Sequence, residues 1–428
     1  MLSICAVMFL IRFFIPESGI LPLILIWSAV FAFILDWFLL FTSRNTVFAV
    51  RTHADRFSNG DDNIIRIEVE NSYRFRANFE LIDEIPFVFQ RRDILFRLTL
   101  SPGSSGIIQY NLRPVKRGEY GFGILNVFVS GSVGLIQRRF RFEKPRTVPV
   151  YPSYQQMRKY QLLAVKDHLS EGGEKKIRKI GHSMEFEQIK EYVRGDDYRA
   201  VNWKATARKG SLMVNHYVDE KSQQIYCVID KGRLMKMPFE GMSLLEYAIN
   251  ATLVLTNVAL LRQDRAGIIT FSEQKGDFLI ADKKAAQMQA ALELLYHQKT
   301  RWLESDFDRL YTLIRGRIKQ RSLLVLFTNF ESMPGLQRQI PNLIKISRNH
   351  LLLVVFFENT ELIELAGNEA VGVEAIYTKT IAEKFAYEKR LILKELQKHG
   401  IIAILTAPKD LTVKSINKYL EIKATQAI

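Results

Sequence analysis

From residue 224 onward, short apolar runs alternate with longer amphipathic stretches, and few folds accept that pattern. Ile225 to Asp230, Gly267 to Phe271, Leu323 to Thr328, Leu351 to Phe357 and Ile401 to Leu405 have the length and apolar character of buried strands. Between them, Leu244 to Arg262, Lys284 to His297, Phe307 to Gln320, Leu336 to Arg348 and Ala382 to Lys398 carry helical patterns. The alternation predicts an α/β unit over 224–428, built on a doubly wound parallel sheet with both faces covered by helices. Ligands of such sheets bind outside the carboxyl ends of the strands. Asp230, Ser272, Thr328, Asn329, Glu358 and Asn359 are the residues placed there.

With 428 residues the chain is long enough for further cores, and its apolar excess is concentrated at the start. Ile20 to Phe41 is a nearly unbroken apolar run, interrupted by Ser28 and Asp36; about 20 such residues span a bilayer. Asp36 lies near the end of the run, where a charge costs less than the roughly 2.5–3.5 kcal/mol of the bilayer centre. Before it, Leu2 to Ile15 is a first, shorter apolar run carrying Arg12, separated from Ile20 to Phe41 by the turn Pro16-Glu17-Ser18-Gly19. It lacks the basic n-region and small-residue cleavage site of a signal peptide. Residues 1–43 are therefore expected to form a transmembrane helical hairpin. Arg44, Arg51 and Arg56 follow closely, and the positive-inside rule then places the body of the chain in the cytoplasm.

Residues 44–150 change to a period of two. Ile65, Ile67 and Val69 alternate with Arg66, Glu68 and Glu70, and Ile94, Phe96, Leu98 and Leu100 repeat the pattern. Turn clusters such as Ser58-Asn59-Gly60-Asp61 and Ser101-Pro102-Gly103 separate the runs, which predicts an all-β, immunoglobulin-like sandwich. It carries no catalytic constellation, so a binding or spacer role is expected. The formal net charge of +15 suits anionic lipid or nucleic acid. No groove-reading module or aromatic stacking platform accompanies the charge, which argues against nucleic acid. Lys175, Lys176, Arg178 and Lys179 follow Gly172-Gly173 without P-loop order, and a lipid-headgroup contact suits them better than a nucleotide. Cys5 and Cys227 form neither a metal spacing nor a disulfide framework.

Residues 151–223 hold a linker and the densest chemistry of the chain, His182 to Glu220. Ser183 is positioned to cap a helix with Glu185 and Glu187 in its first turn, running to about Val193 and ending at Arg194-Gly195. Asp196 or Asp197 then caps a second helix, with Lys204, Arg208 and Lys209 at its far end and Gly210 as the stop. Trp203 reads as a core anchor, and Leu212 to Val218 as a strand. The carboxylates Glu185, Asp196 and Asp197 among Arg194, Arg199, Lys204 and Arg208 read as a salt-bridge and capping network. The alternative is an enzyme of envelope polymer metabolism, using these carboxylates with His182 or His216 as proton shuttle. No nucleophile stands at recognisable spacing from a base.

The run from Glu185 to Arg208, with Gly195, Asp196, Asp197, Arg199, Asn202, Trp203 and Lys204 in it and Glu220 downstream, resembles the bacterial domain-of-unknown-function 58 family. The resemblance implies a membrane-anchored protein with a von Willebrand factor A-like C-terminal domain. It also implies a gene neighbourhood of MoxR-type AAA+ ATPases and transglutaminase-like proteins, and no particular reaction. Von Willebrand factor A domains often hold Mg²⁺ through a D-x-S-x-S loop, a later Thr and an Asp after another strand. Here the loop reads Asp230-Lys231-Gly232-Arg233-Leu234, with both serines missing, and Asn329 stands where the Asp is usual. Ser305 or Asp306 are candidates for the Thr. One carboxylate beside two cations is a poor cage for a hard ion. We therefore expect a degenerate loop at Asp230, Gly232, Ser305, Thr328 and Asn329 without Mg²⁺, its carboxylate held by Lys231, Arg233 or backbone N–H groups. The expectation for the whole is a cofactor-free, non-enzymatic adaptor or scaffold in the bacterial inner membrane. It would face the cytoplasm and work with a MoxR-type ATPase in envelope-related assembly.

Overall fold

The computed structural model describes residues 21–42, 47–91, 95–131, 134–161, 184–194, 196–219, 222–367 and 372–425. The first apolar run, Arg44 and the basic stretch around Lys175 lie outside these residues. The chain divides into two compact units, Met1–Tyr151 and Pro152–Ile428.

In the first unit three sheets enclose one core. Asn63–Asn71 is the central strand of an antiparallel sheet between Val47–Thr52 and Ser105–Leu112. Leu95–Leu100, Ala77–Asp83, Leu125–Ser130 and Gln137–Phe142 form a second antiparallel sheet in that order. Gly118–Phe122 pairs with Arg146–Tyr151, which also takes the short strand Phe57–Ser58. The period-two reading holds here: Ile65, Ile67 and Val69 are buried while Arg66, Glu68 and Glu70 face outward. One polar exception inside the core is an ion pair. Asp83 receives the Arg51 guanidinium at 2.5 Å and the Tyr110 hydroxyl, and Arg51 also donates to the Gly123 carbonyl at 3.1 Å. Arg51 is thus a core residue of the sandwich rather than a charge flanking a membrane span, a correction to its use in the positive-inside argument.

The second apolar run forms the 21-residue helix Leu21–Phe41, about 31 Å long at 1.5 Å per residue. Trp27, Phe31 and Phe38 are among its exposed side chains. Its C-terminal part is fixed to the sandwich. Asp36 is fully buried, and its Oδ2 accepts the backbone N–H groups of Leu135 at 2.9 Å and Ile136 at 3.0 Å. The Leu40 carbonyl, left without an intrahelical partner so near the helix end, accepts the Tyr73 hydroxyl at 3.0 Å and the Arg138 guanidinium at 2.5 Å. Gly131 makes room for the carboxylate, since a Cβ there would stand 2.6 Å from Asp36 Oδ1.

The second unit contains a six-stranded sheet: β1 (Gln224–Asp230), β2 (Arg265–Phe271), β3 (Phe278–Asp282), β4 (Leu323–Phe327), β5 (Leu351–Phe357) and β6 (Ile402–Thr406). The strand order is β3-β2-β1-β4-β5-β6, parallel throughout except for β3, which pairs antiparallel with β2. The helices are α1 (Leu244–Leu261), α2 (Ala286–Tyr296), α3 (Phe307–Arg317), α4 (Met333–Ser347), α5 (Thr360–Gly367), α6 (Val373–Lys398) and α7 (Leu411–Ala424). Alternate residues of the strands point to opposite faces. Ile225, Cys227, Val325 and Val355 pack with α1, α2 and α7, while Tyr226, Val228, Leu326 and Val354 pack with α3, α4 and α6. Both faces are covered, as the alternation predicts. The edge strand β3 and the helices α5 and α7 were not predicted. The helix α1 also has the length and hydropathy of a membrane span, yet 83% of it is buried inside the protein, which makes it the central core helix.

Before β1 the family segment departs from its sequence reading. Met184–Glu191 is a strand, not the expected helix, and pairs antiparallel with Met213–Asp219 across a bulge at Phe186/Gln188. The acidic residues read as a helix start sit on a strand whose partner follows some twenty residues later, and cross-strand pairing overrides a weak local preference.

Candidate functional site

The strand order reverses between the parallel neighbours β1 and β4, and a doubly wound sheet opens its binding crevice at that point. Asp230 ends β1 and Thr328 follows β4, so the two side chains meet there. Asp230 is 3% exposed. Its Oδ1 accepts the Gly232 N–H at 2.8 Å and the Ser305 hydroxyl, and its Oδ2 accepts the Thr328 hydroxyl at 2.7 Å. Burial raises its pKa, and the donors from Ser305, Thr328 and Gly232 oppose that rise. Gly232 is required by contact: a Cβ there would lie 2.0 Å from Ser305 Oγ and 3.1 Å from Asp230 Oδ1.

The neighbours expected to hold Asp230 also have other partners. Lys231 Nζ donates to Gln298 Oε1 at 3.1 Å, and Arg233 pairs with Glu304 at 3.1 Å on the surface. Two hydroxyls and one backbone N–H hold Asp230, which meets the expectation for the backbone, while Arg233 is paired with Glu304 instead. Ser305, not Asp306, reaches the carboxylate; Asp306 caps α3 through the Arg309 N–H at 2.9 Å. Asn359 likewise caps α5 by accepting the Leu362 N–H at 3.2 Å. Asn329 accepts Lys389 Nζ on its Oδ1 at 2.6 Å and directs its amide at the Leu234 carbonyl, 3.4 Å away. Among the described residues no three His, Cys, Asp or Glu side chains converge as a metal site would need.

Asn329 and Glu331 also line both of two depressions. One, of about 130 Å³, is lined by Asp230, Arg233, Ser305 and Arg338. The other, of about 250 Å³, is walled by Phe239, Phe357, Leu362 and Phe385, with Lys389 among them. Burial lowers the Lys389 pKa to about 8, with Glu331 pulling the other way. Sequence reasoning missed Lys389. It lies in a long helix between Glu388 and Arg390, and nothing local distinguishes it from a surface lysine.

In the family segment Asn202 is the organising residue. Its Oδ1 caps the helix Trp203–Lys209 by accepting the Ala205 N–H at 3.0 Å, and its Nδ2 donates to Asn215 Oδ1 at 2.8 Å on the facing strand. Gly210 ends that helix in the left-handed region at φ 72°, as its stop position predicts. Asp196 and Asp197 do not cap this helix. Asp196 accepts the Val193 N–H at 3.0 Å and Lys190 Nζ at 2.9 Å, and Asp197 accepts the Arg199 N–H at 2.9 Å to cap a single 3-10 turn. Both carboxylates are occupied by capping and salt-bridge contacts, as the network reading has it. Trp203 is 72% exposed, which overturns its assignment as a core anchor: the short helix turns its first residue away from the hairpin. Arg199 lies 5.8 Å over the Tyr198 ring. Lys204 and Arg208 line a shallow groove with Ile189 and Met213. Glu185 stands opposite Val218 in the hairpin register; Gly195, Glu220 and His182 lie outside the described residues.

Among solved structures, the chain is similar to the CARDB domain of the PF1109 protein from Pyrococcus furiosus. Identity is 12% and the TM-score 0.17, over 24% of this chain and 86% of that one. It is also similar to the PapD-like domain 7 of human CEP192, at 13% identity and a TM-score of 0.19, over 24% and 83% of the two chains. The strand pairings above, not scores of this size, establish the fold. The uncharacterized protein YeaD of Bacillus subtilis (strain 168) is 27% identical over 175 residues, which is 41% of this chain. The match spans 42% of that relative's own length. The family model described as "Protein of unknown function DUF58" matches residues 188–366, from the hairpin through Asp230 and Thr328 into α5.

Proposed function

We propose that the chain is a membrane-anchored adaptor whose strand-end surface receives a protein partner, and that it catalyses no reaction of its own. The observation that carries this reading is the state of Asp230. A carboxylate offers about four acceptor positions, and three of them here take donors from the protein itself. A general base needs a lone pair aimed at its substrate; this one is turned inward and fixes the shape of the crevice.

The α/β unit is on this reading von Willebrand factor A-like, with two layers of helices and its crevice at the β1/β4 reversal. Its residues suit a divalent cation poorly. Gly232 stands where the loop would carry its first serine, the Asn329 oxygen already holds the Lys389 ammonium, and hard cations want several charged oxygens. Partner binding is therefore metal-free. The helix Leu21–Phe41, with its exposed apolar side chains and a length close to the ~30 Å hydrocarbon core, supplies the membrane anchor. The inner membrane, the cytoplasmic orientation and a MoxR-type AAA+ ATPase as partner come from the family resemblance, and envelope-related assembly is the process they suit.

Capture from native membranes with the full chain as bait tests the reading. An AAA+ ATPase should be recovered equally with and without chelator, and Asp230→Ala should weaken recovery only a few-fold. Saturable Mg²⁺ or Mn²⁺ binding in a calorimetric titration, lost in Asp230→Ala, would refute the metal-free account.

A further inference from the structure

The pocket at the ends of β4, β5 and β6 holds an ammonium group that no carboxylate among the described residues touches, Glu331 acting on it only from a distance. Among the described residues Lys389 makes one hydrogen bond, to Asn329 Oδ1, and has no carboxylate within ion-pair distance. An ammonium carries three donors, so two remain to be filled, and a half-buried charge among aromatic walls is costly unless paired. We propose that this pocket binds an apolar monocarboxylate, its carboxylate on the Lys389 ammonium and its body against Phe239, Phe357, Leu362 and Phe385.

Size and charge narrow the ligand. A cavity of 150 Å³ accepts benzene, so the ~250 Å³ here takes a body of about ten heavy atoms. Glu331, Glu358 and Glu361 also line the pocket. Their charges repel an anion in proportion to its charge, so a phosphate or other dianion is opposed most, and a single carboxylate has to be held directly on the lysine. The Lys389 pKa of about 8 leaves the group charged at neutral pH and partly neutral slightly above it, so its reactivity toward an acylating reagent reports its environment. The ligand is either a free small acid or the terminal carboxylate of a peptide ending in an apolar residue. The inference is independent of the adaptor reading, since its test uses no partner.

The test is acetylation of the full chain in detergent with N-hydroxysuccinimidyl acetate at pH 8, followed lysine by lysine by peptide mass spectrometry. Millimolar 3-phenylpropionate should slow acetylation of Lys389 saturably, by about fivefold or more as charge-assisted bonds engage the amine, and leave Lys345 and Lys423 unaffected. The neutral 3-phenylpropanamide should not. No slowing, or equal slowing by the amide, overturns the proposal. So does protection that emerges only in Glu331→Gln, because Glu331 would then be the ammonium's own counter-ion. A peptide ending in phenylalanine with a free carboxylate separates the two sources. Protection at lower concentration than phenylpropionate assigns the pocket to a chain end, and weaker protection assigns it to a small acid.

Discussion

A side chain at position 232 would have to occupy space that the Ser305 hydroxyl already fills, 2.0 Å from the ideal Cβ position. Gly232→Ser, which restores the first serine of a metal-binding loop on paper, should therefore destabilise the α/β unit, by about 1–3 kcal/mol for an overpacked site. It should confer no Mg²⁺ protection in thermal melts; a melting point raised by Mg²⁺ would contradict this. Lys389 gives a prediction in pH. Its folded-state pKa of about 8 lies below the ordinary 10.5, so between those values the unfolded chain binds more protons and stability rises with pH. Below about pH 8 the penalty is present in full. Lys389→Met should stabilise the protein at pH 7, by about 1–2 kcal/mol once the partial exposure is discounted, and the gain should vanish near pH 10.5. Denaturant midpoints at both pH values measure it. Of these residues, Asp230, Ser305 and Thr328 were legible, because strand ends can be counted from the sequence and the loop has a known pattern to be compared with. Lys389 was not, since its burial comes from α5 and the Phe239 turn, elements distant in sequence.

Elements were legible where burial sets their pattern and illegible where pairing does. The five parallel strands are apolar on both faces, and the helices between them are long enough to show their period. The antiparallel edge strand β3 is short and half-exposed, so no such run marks it. In the family segment the signals for a helix start were present at Glu185 and Glu187, but the partner strand Met213–Asp219 decided the outcome. That hairpin gives Asn202 its importance. It ties the Trp203–Lys209 helix to both chain directions through the Ala205 N–H and Asn215. Asn202→Ala removes a cap and leaves the Asn215 amide oxygen without that donor, a loss of about 1–2 kcal/mol. Trp203→Ala, on an exposed side chain, should cost within about 0.5 kcal/mol. Hydrogen exchange of the Thr206 and Ala207 amides would separate the two: it should quicken in Asn202→Ala and stay unchanged in Trp203→Ala. Equal effects would return Trp203 to a packing role.

For the whole molecule, the question is how an apolar helix and its charged surroundings set orientation. Of the three arginines that follow the apolar helix, Arg51 is spent inside the sandwich on Asp83, and Arg56 lies 4.9 Å over the Tyr151 ring. The local charge available to a positive-inside argument is thus smaller than the sequence suggests. Asp36 does not face outward, because it is buried in the fold and accepts the backbone N–H groups of Leu135 and Ile136. The sandwich is therefore mounted on the end of the helix, and on the proposed reading of that helix as an anchor, whichever side of the membrane receives Phe41 receives the sandwich as well. On the adaptor reading that side is the cytoplasm, where an ATPase partner would have its nucleotide. Alkaline phosphatase fused behind the α/β unit should then be inactive, and a cytoplasm-active reporter at the same position should be fluorescent. Arg51→Gln should leave both signals as they are while lowering the stability of the sandwich by about 3–5 kcal/mol, the cost of stranding Asp83. An inversion of the reporters in that variant would mean that Arg51 acts on topology before the sandwich folds around it.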